Sequence, residues 1–564
     1  MRLVATIVFA FLLTGIVGLG HAWAAGVFDC RTLVVASSQE KYVLLDGFAT
    51  AYNEAGRTVG GGCVTVSVEQ VNSGEAEQAL ETGWDPSLGR RPDVWSPAST
   101  AWVALLEQRS SSGARLIAPG TISSLFRSPL IIAIPEPMAR ALGYPAKPIG
   151  WAEILALVEN PLGWASVLGA NPAWGRFKLG KTDPTVSTSG LHALLGTYFA
   201  AAGGSLTAQS VNDPRVKDYV AAIESSVVHY GETAKTFLSN LNLADDQGQG
   251  LNYVSAIAIE EEELINYNRG LYDPNGITPA TPLVAIYPRE GSAVADHPYL
   301  TLRWSRERAA AADFLDFLNE APQQKGIQQA GFRNTGNELA RSVLDADPNI
   351  RANTPFSVLP TNVGSVLDAI LDQWKTVRKH ARVLILVDVS AADTPAQGIG
   401  WATQPMIRAI GRFDPGAAGD AGDQVALWTF PAAGAAFATS PFSVPPGTVV
   451  TTLSGLQASR SPANLDDVLN SAIDAMTTTY EPSRIDAILL MTGSRDALQA
   501  GDQKLERVLR SQASDKFVRV FVVGPPSLPA AAKQRLRDIA LAGRGDLYQP
   551  NSTQKLIDDV VSNF

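Results

Sequence analysis

Short apolar runs alternate with longer amphipathic runs twice along this chain, and the alternation breaks once in between. The first series opens with a strand-length apolar run at 33–36. Residues 41–53 follow with helical spacing, and Ser37 and Ser38 stand ahead of them as caps. Residues 64–71 alternate like a strand, 74–82 read as a helix, 93–95 as a short strand, 100–108 as a helix and 129–134 as a strand. This order predicts a mainly parallel sheet with helices on its faces. Residues 336–379 interrupt it with turn-rich stretches at 345–349 and 353–356, then a lead-in helix at 365–377. The order restarts at 382–389, a continuous apolar strand of the kind buried on both faces. Strands are expected at 425–430, 449–452, 487–492 and 518–523, and helices at 465–476, 503–512, 530–542 and 552–562. The Gly/Ala/Asp-rich residues 414–423 read as a flexible loop. The fold class is α/β, in two series. A length of 564 residues agrees, because single cores stop growing near roughly 250–300 residues.

The start of the chain reads as an export signal. Met1 and Arg2 give a positive end, residues 3–20 are apolar and uncharged, and Ala22 and Ala24 supply the small residues of a cleavage site near Ala24 or Ala25. Residues 1–25 are thus expected to be a signal peptide. An uncleaved anchor is the alternative, since about 18 apolar residues can just span a bilayer. Either reading puts the bulk of the chain outside the cytoplasm: periplasmic, secreted or at the cell surface. In an oxidising compartment the two cysteines, Cys30 and Cys63, are expected to form a disulfide, with two buried thiols as the other reading. The 45 basic and 55 acidic residues speak against a nucleic-acid partner. Enzyme motifs are missing: there is no nucleophile elbow, phosphate loop or zinc spacing, and the five histidines are scattered. A non-catalytic protein without a cofactor is the expectation.

Three segments place small hydroxyl residues at expected strand ends just before helices. They carry Ser37 and Ser38, then Ser96 and Ser99, then Ser187, Thr188 and Ser189. Open α/β sheets bind ligands at the carboxyl ends of their strands, and a helix start there offers free N–H groups and the positive end of a dipole. Hydroxyls beside it would complete a neutral, donor-rich site for an oxyanion or small carboxylate. Singly, each segment reads equally well as a set of helix caps. The acidic run Glu260 to Glu263 reads as a helix start favoured by the dipole, with Glu260 nearest the strand end.

Residues 92–108 (PDVWSPASTAWVALLEQ), 128–145 (SPLIIAIPEPMARALGYP), 150–157 and 174–195 resemble the extracellular solute-binding proteins of ABC importers, in the branch of molybdate- and sulfate-type binders. The resemblance covers about 31–335. It implies a type 2 periplasmic-binding module over 26–335, with two lobes, a cleft between them and the seven hydroxyl residues facing a small-molecule solute.

Residues 379–393 (KHARVLILVDVSAAD), 423–431, 486–496 and 518–524 resemble a von Willebrand factor A domain over 380–564. That family implies a Rossmann-like sheet, a metal-ion-dependent adhesion site and a protein partner. Of the metal ligands only Asp388 and Ser390 remain; Ala392, Ala463 and Gly493 stand where oxygen ligands belong. Two ligands are too few for Mg²⁺, which needs near-octahedral oxygens, so the site is expected to be a remnant. The whole reads as an exported binding protein that holds a solute and docks a partner. Two alternatives stay open: an adhesion or assembly scaffold with an empty cleft, and an ABC-importer substrate receptor. Membrane contact is expected only through an uncleaved N-terminal segment.

Overall fold

The computed structural model describes residues 30–110, 116–351, 354–389, 403, 406–407, 409–411, 413–414, 416, 422–430, 437–457, 465–493, 504–512, 516–545 and 547–549. The expected signal segment, Ser390, Ala392, Ala463 and the expected helix at 552–562 lie outside them. The chain divides into two compact units: Met1–Arg127 with Asp296–Ala340, and Ser128–Ala295 with Arg341–Phe564.

The first unit is built on a sheet in which strands Gly62–Gln70, Arg31–Ser37 and Val94–Ser96 run parallel and Pro298–Thr301 returns antiparallel beside Val94–Ser96. Leu33, Val35, Val64, Val66 and Val94 are buried in one core cluster, as apolar positions of a covered sheet must be. The helix Gln39–Glu54 turns Leu45, Ala49 and Tyr52 onto it. Tyr52 meets Phe314 edge-on at 5.3 Å, which ties in the helix Arg308–Leu318. A Cys30–Cys63 disulfide joins the entry of the first strand to its parallel neighbour, with Cα atoms 4.8 Å apart. The expected pairing is the one present.

The second unit holds two sheets. In one, the order is Leu283–Ile286, Ser128–Pro135, Ala256–Glu260, Leu179–Thr182, Val227–Gly231, with antiparallel pairs on one side and parallel pairs on the other. Every residue of Ser128–Pro135 and of Ala256–Glu260 is buried. The helix Thr188–Ala201 is central: 11 of its 14 residues are buried, so it is packed on all sides rather than along one stripe. Its start lies against a strand end, where a Cβ on Gly190 would come within 2.3 Å of the Thr182 carbonyl oxygen. Only glycine fits there.

The other sheet runs Phe437–Ser440, Gln424–Phe430, His380–Asp388, Arg484–Met491, Arg519–Val523, Leu547–Tyr548. All neighbours are parallel except the edge pair formed by Phe437–Ser440. The earliest strand in the chain lies inside the sheet and the order grows outward on both sides, the pattern of a doubly wound sheet. His380–Asp388 is buried along all nine residues. The helices Leu465–Thr478 and Ala530–Ala542 cover it through Leu469, Ile473, Leu536 and Ile539.

One expectation fails outright. Residues 449–452 are not a strand but part of the helix Pro446–Ser454. Pro446 presets the first helical turn, and Val449 and Leu453, four apart, are the buried pair. A four-residue β-branched run carries no period of its own that could reveal this. The lead-in helix at 365–377 is present as Gly364–Val377, and the ends of the loop at 414–423 are pinned together: Asp423 N donates to Asp414 O (2.7 Å) and Asp414 N donates to the Asp423 carboxylate (2.8 Å). No helix among the described residues is long and apolar enough to cross a membrane.

Candidate functional site

In the first unit, strands Arg31–Ser37 and Val94–Ser96 end in register, Ser37 opposite Ser96. Parallel pairing therefore brings Ser37, Ser38, Ser96 and Ser99 to one sheet edge, all four buried. Each hydroxyl already has an internal partner. Ser37 Oγ donates to Ser38 O (3.1 Å), and Ser96 Oγ donates to Pro298 O (2.8 Å). Ser99 Oγ accepts from Ala101 N (3.1 Å), the ordinary capping bond.

Ser38 Oγ accepts from the ammonium of Lys41 at 2.9 Å. Lys41 is fully buried; it also donates to Pro97 O (2.7 Å) and lies 3.4 Å from His297 Nδ1. His297 is held between Phe126 and Phe332 at centroid distances of 4.7 and 5.1 Å. Beside them Thr100 N donates to Asp296 Oδ1 (2.8 Å). Burial pushes the Asp296 carboxyl up from its usual range, against the pull of that N–H. A carboxylate thus occupies the place at the Thr100–Arg109 helix start where an anionic solute would sit.

Lys41, Asp296 and His297 were not singled out from the sequence. Lys41 looks there like any surface cation of a helix. Its spacing of three from Ser38 was the one available signal, because residues three apart on a helix are neighbours.

In the second unit, Ser187 is the N-cap of the helix Thr188–Ala201, but its side chain makes no capping bond. Instead Ser187 Oγ accepts from Thr182 Oγ1 (2.9 Å) at the preceding strand end. Asp183 closes the turn between them, accepting from Thr185 N (2.8 Å) and Thr185 Oγ1 (2.7 Å). Thr188 and Ser189 are buried in the first helical turn. This helix start, unlike the one at Thr100, has no capping bond from its N-cap side chain. The two groups of hydroxyl residues belong to different units.

The acidic run begins a helix as expected, with Glu260 the N-cap of Glu261–Asn268. All four glutamates are buried, however, rather than lying on a solvated face. Glu261 accepts from the Tyr287 hydroxyl and Glu263 from the Tyr272 hydroxyl.

At the carboxyl edge of the second sheet, Asp388 Oδ2 accepts from Thr492 Oγ1 at 2.7 Å, and Gly493 offers no side-chain oxygen. Among the described residues no group of three or more His, Cys, Asp or Glu side chains could hold a metal ion. Among the described residues this edge offers one carboxylate, Asp388, and one hydroxyl, Thr492.

Residues 33–333, more than half of the chain, match the family described as bacterial extracellular solute-binding protein. The chain belongs to that family. As a family member it is exported, and binding of a small molecule is what the family does. The chain is also 24% identical over 362 residues to an uncharacterized protein of Mycobacterium tuberculosis, matched in two strains, covering 61% of this chain and 47% of the relative. It spans about half the length of these curated relatives. Among solved structures it is similar to the sulfate-binding protein of Mycobacterium tuberculosis (17% identity, 61% of this chain and 99% of that one, TM-score 0.40). It is also similar to the fructose-6-phosphate-bound periplasmic binding protein of Actinobacillus pleuropneumoniae (15%, 61% and 98%, TM-score 0.41). A periplasmic thiamin-binding protein matches at 14% identity, over 62% and 96%, with TM-score 0.42.

Proposed function

We propose that this solute-binding protein is a non-catalytic receptor whose solute engages the helix start at Ser187, Thr188 and Ser189. The observation that carries this is a buried helix N-terminus whose N-cap side chain makes no capping bond, with the hydroxyls of Ser187, Thr188 and Ser189 beside it. An oxyanion or small carboxylate, as in the molybdate- and sulfate-type branch, suits that end. The Asp296 carboxylate argues against placing the negative charge at the Thr100 helix start, so Ser37, Ser38, Ser96 and Ser99 serve as neutral framework.

Residues 380–564 we read as a von Willebrand factor A-like domain that docks a protein partner without Mg²⁺, because Asp388 shares its edge with a threonine and a glycine rather than with further carboxylates. The test is a thermal-shift panel of oxyanions, small carboxylates, amino acids and sugars on the full chain. A true solute at a hundredfold over its dissociation constant adds ~2.7 kcal/mol. Ser189→Asp, which sets a carboxylate at the dipole end, is expected to abolish the shift of an anionic solute. If nothing in the panel shifts the wild type, the receptor reading fails. The scaffold reading then takes its place, favoured already by the internal partners of the first-unit hydroxyls.

A further inference from the structure

Three strands of the second sheet begin with, or directly after, a cation: Lys379 precedes His380–Asp388, Arg484 opens Arg484–Met491 and Arg519 opens Arg519–Val523. These strands are parallel neighbours in register, His380 opposite Arg484 and Ala487 opposite Arg519. Residues about 140 apart in sequence therefore meet at the amino edge, the end opposite Asp388. An open cavity lies there, within the second unit. Its far wall comes from the edge of the first sheet of that unit and the short helix Gly250–Tyr253 beside it: Lys178 just ahead of Leu179–Thr182, Val228 in Val227–Gly231, and Tyr253; Arg544 comes in behind the helix Ala530–Ala542. Five cations line one cavity with a single carboxylate, Asp486.

That carboxylate is already engaged. Asp486 accepts from Arg382 Nη1 (2.7 Å) and from Glu481 N (3.1 Å). Arg484 is paired with Glu481 at 3.1 Å, and Lys178 donates to Asn252 O at 2.8 Å. The other three cations have no carboxylate within ion-pair reach among the described residues. Arg519 is buried, donates to the carbonyl oxygen of Arg544 (2.9 Å) and lies 5.0 Å from the Tyr253 ring. Arg544 stacks on Phe517 at 3.8 Å.

The Lys379 ammonium has no hydrogen-bond acceptor among the described residues, and burial with the nearby Arg519 charge brings it down to about 8, against the pull of Asp486. The same two causes, burial and Arg519, bring Arg544 down to about 10. Like charges gathered away from water repel unless an anion sits among them. A guanidinium fork and an ammonium are the groups that hold a phosphate-class anion. A second, smaller cavity shares Tyr253 and Arg544 with the first and is lined in part by Asn240, Gln247 and Gln249. It offers amide donors and acceptors to the polar body of a larger ligand.

We infer that this cavity is an anion site for a phosphate-class dianion, free or carried on a small polar molecule, seated between the first sheet of the second unit and the amino edge of the second sheet. It is separate from the Ser187 helix start and does not depend on the receptor reading.

The experiment is titration calorimetry of the full chain with inorganic phosphate, with sulfate and with glycerol phosphate, at ionic strength held constant with chloride. Saturable binding of phosphate or of the ester is expected, and the stronger of the two identifies the source. Lys379→Met and Arg519→Gln should each weaken it by at least ~tenfold, as the loss of one charge-assisted hydrogen bond does. Lys379→Met is the safeguard against misfolding, because it breaks no hydrogen bond and should melt like the wild type without anion. Ser189→Asp should retain the event. Binding lost in Ser189→Asp but kept in both cavity variants would overturn the assignment. So would equal heats from chloride and phosphate.

Discussion

Lys41 is wholly buried and Lys379 half-buried, and the molecule treats them in opposite ways. Lys41 is met by a serine oxygen, a backbone carbonyl and a histidine nitrogen drawn from three parts of the first unit. Lys379 is met by Arg519 and Arg544, which share its sign, and by an aspartate already engaged elsewhere. A buried cation needs acceptors. Where the fold supplies them the cation is part of the framework. Where it does not, the cation is a demand for something from outside. Lys181 makes the distinction sharper: it is wholly buried and paired with the equally buried Glu224.

The largest test strands that third cation. Glu224→Ala leaves Lys181 unpaired and also removes the acceptor of Tyr230 (2.6 Å) and of Trp374 Nε1 (3.3 Å). Breaking a buried pair from one side costs about 3–5 kcal/mol, so urea unfolding should show a loss of that size; a loss under about 1 kcal/mol would mean burial of the pair is not what holds it.

Lys41→Met comes next. It leaves Ser38 Oγ and Pro97 O without their donor, at about 1–3 kcal/mol for the unmet groups. If Lys41→Met proved as mild as Lys379→Met, the comparison that opens this section would collapse.

The last test follows pH and asks what burial does to a base set among apolar residues. His192 is wholly buried in the central helix, and desolvation lowers its pKa to about 3, so the folded protein holds it neutral. The unfolded chain takes up a proton near the ordinary value of about 6.5, so folding loses stability as pH falls below that, by up to ~1.4 kcal/mol per pH unit. The contribution is absent above pH 6.5. Denaturant midpoints between pH 7 and 4 should fall less steeply in His192→Gln; an unchanged slope would mean His192 accepts a proton in the folded state.

How much could be read in advance divides along the same line. The parallel strands at 33–36, 64–71 and 382–389 were legible because buried β-branched runs bounded by helical patterns leave few alternatives. The cysteine pair was legible by elimination of other partners. The helix at 446–454 was not, since its short apolar run fits either period. The hydroxyl residues were found because they sit next to one another in sequence. Whether they face a solute or one another was not legible, and Ser37, Ser96 and Ser99 prove to be bonded within the protein. The cavity cations at 178, 379, 484, 519 and 544 carry no motif at all. Strand register gathers 379, 484 and 519, and packing of the neighbouring elements adds 178 and 544; both are properties of the folded unit rather than of any stretch of sequence.

The helix Gly364–Val377 follows turn-rich residues that look like a tether, yet it has none of a tether's slack. Trp374 meets Tyr230 edge-on at 5.3 Å, and the Lys379 amide donates to the Tyr230 hydroxyl at 3.2 Å, within a few residues of the point where the second sheet begins. A pull on that sheet therefore reaches the strand Val227–Gly231 through packed side chains and hydrogen bonds, with no loose chain to absorb it. Whatever grips the far part of the protein takes hold of this strand as well, as a load on a rigid bracket is carried by the wall behind it.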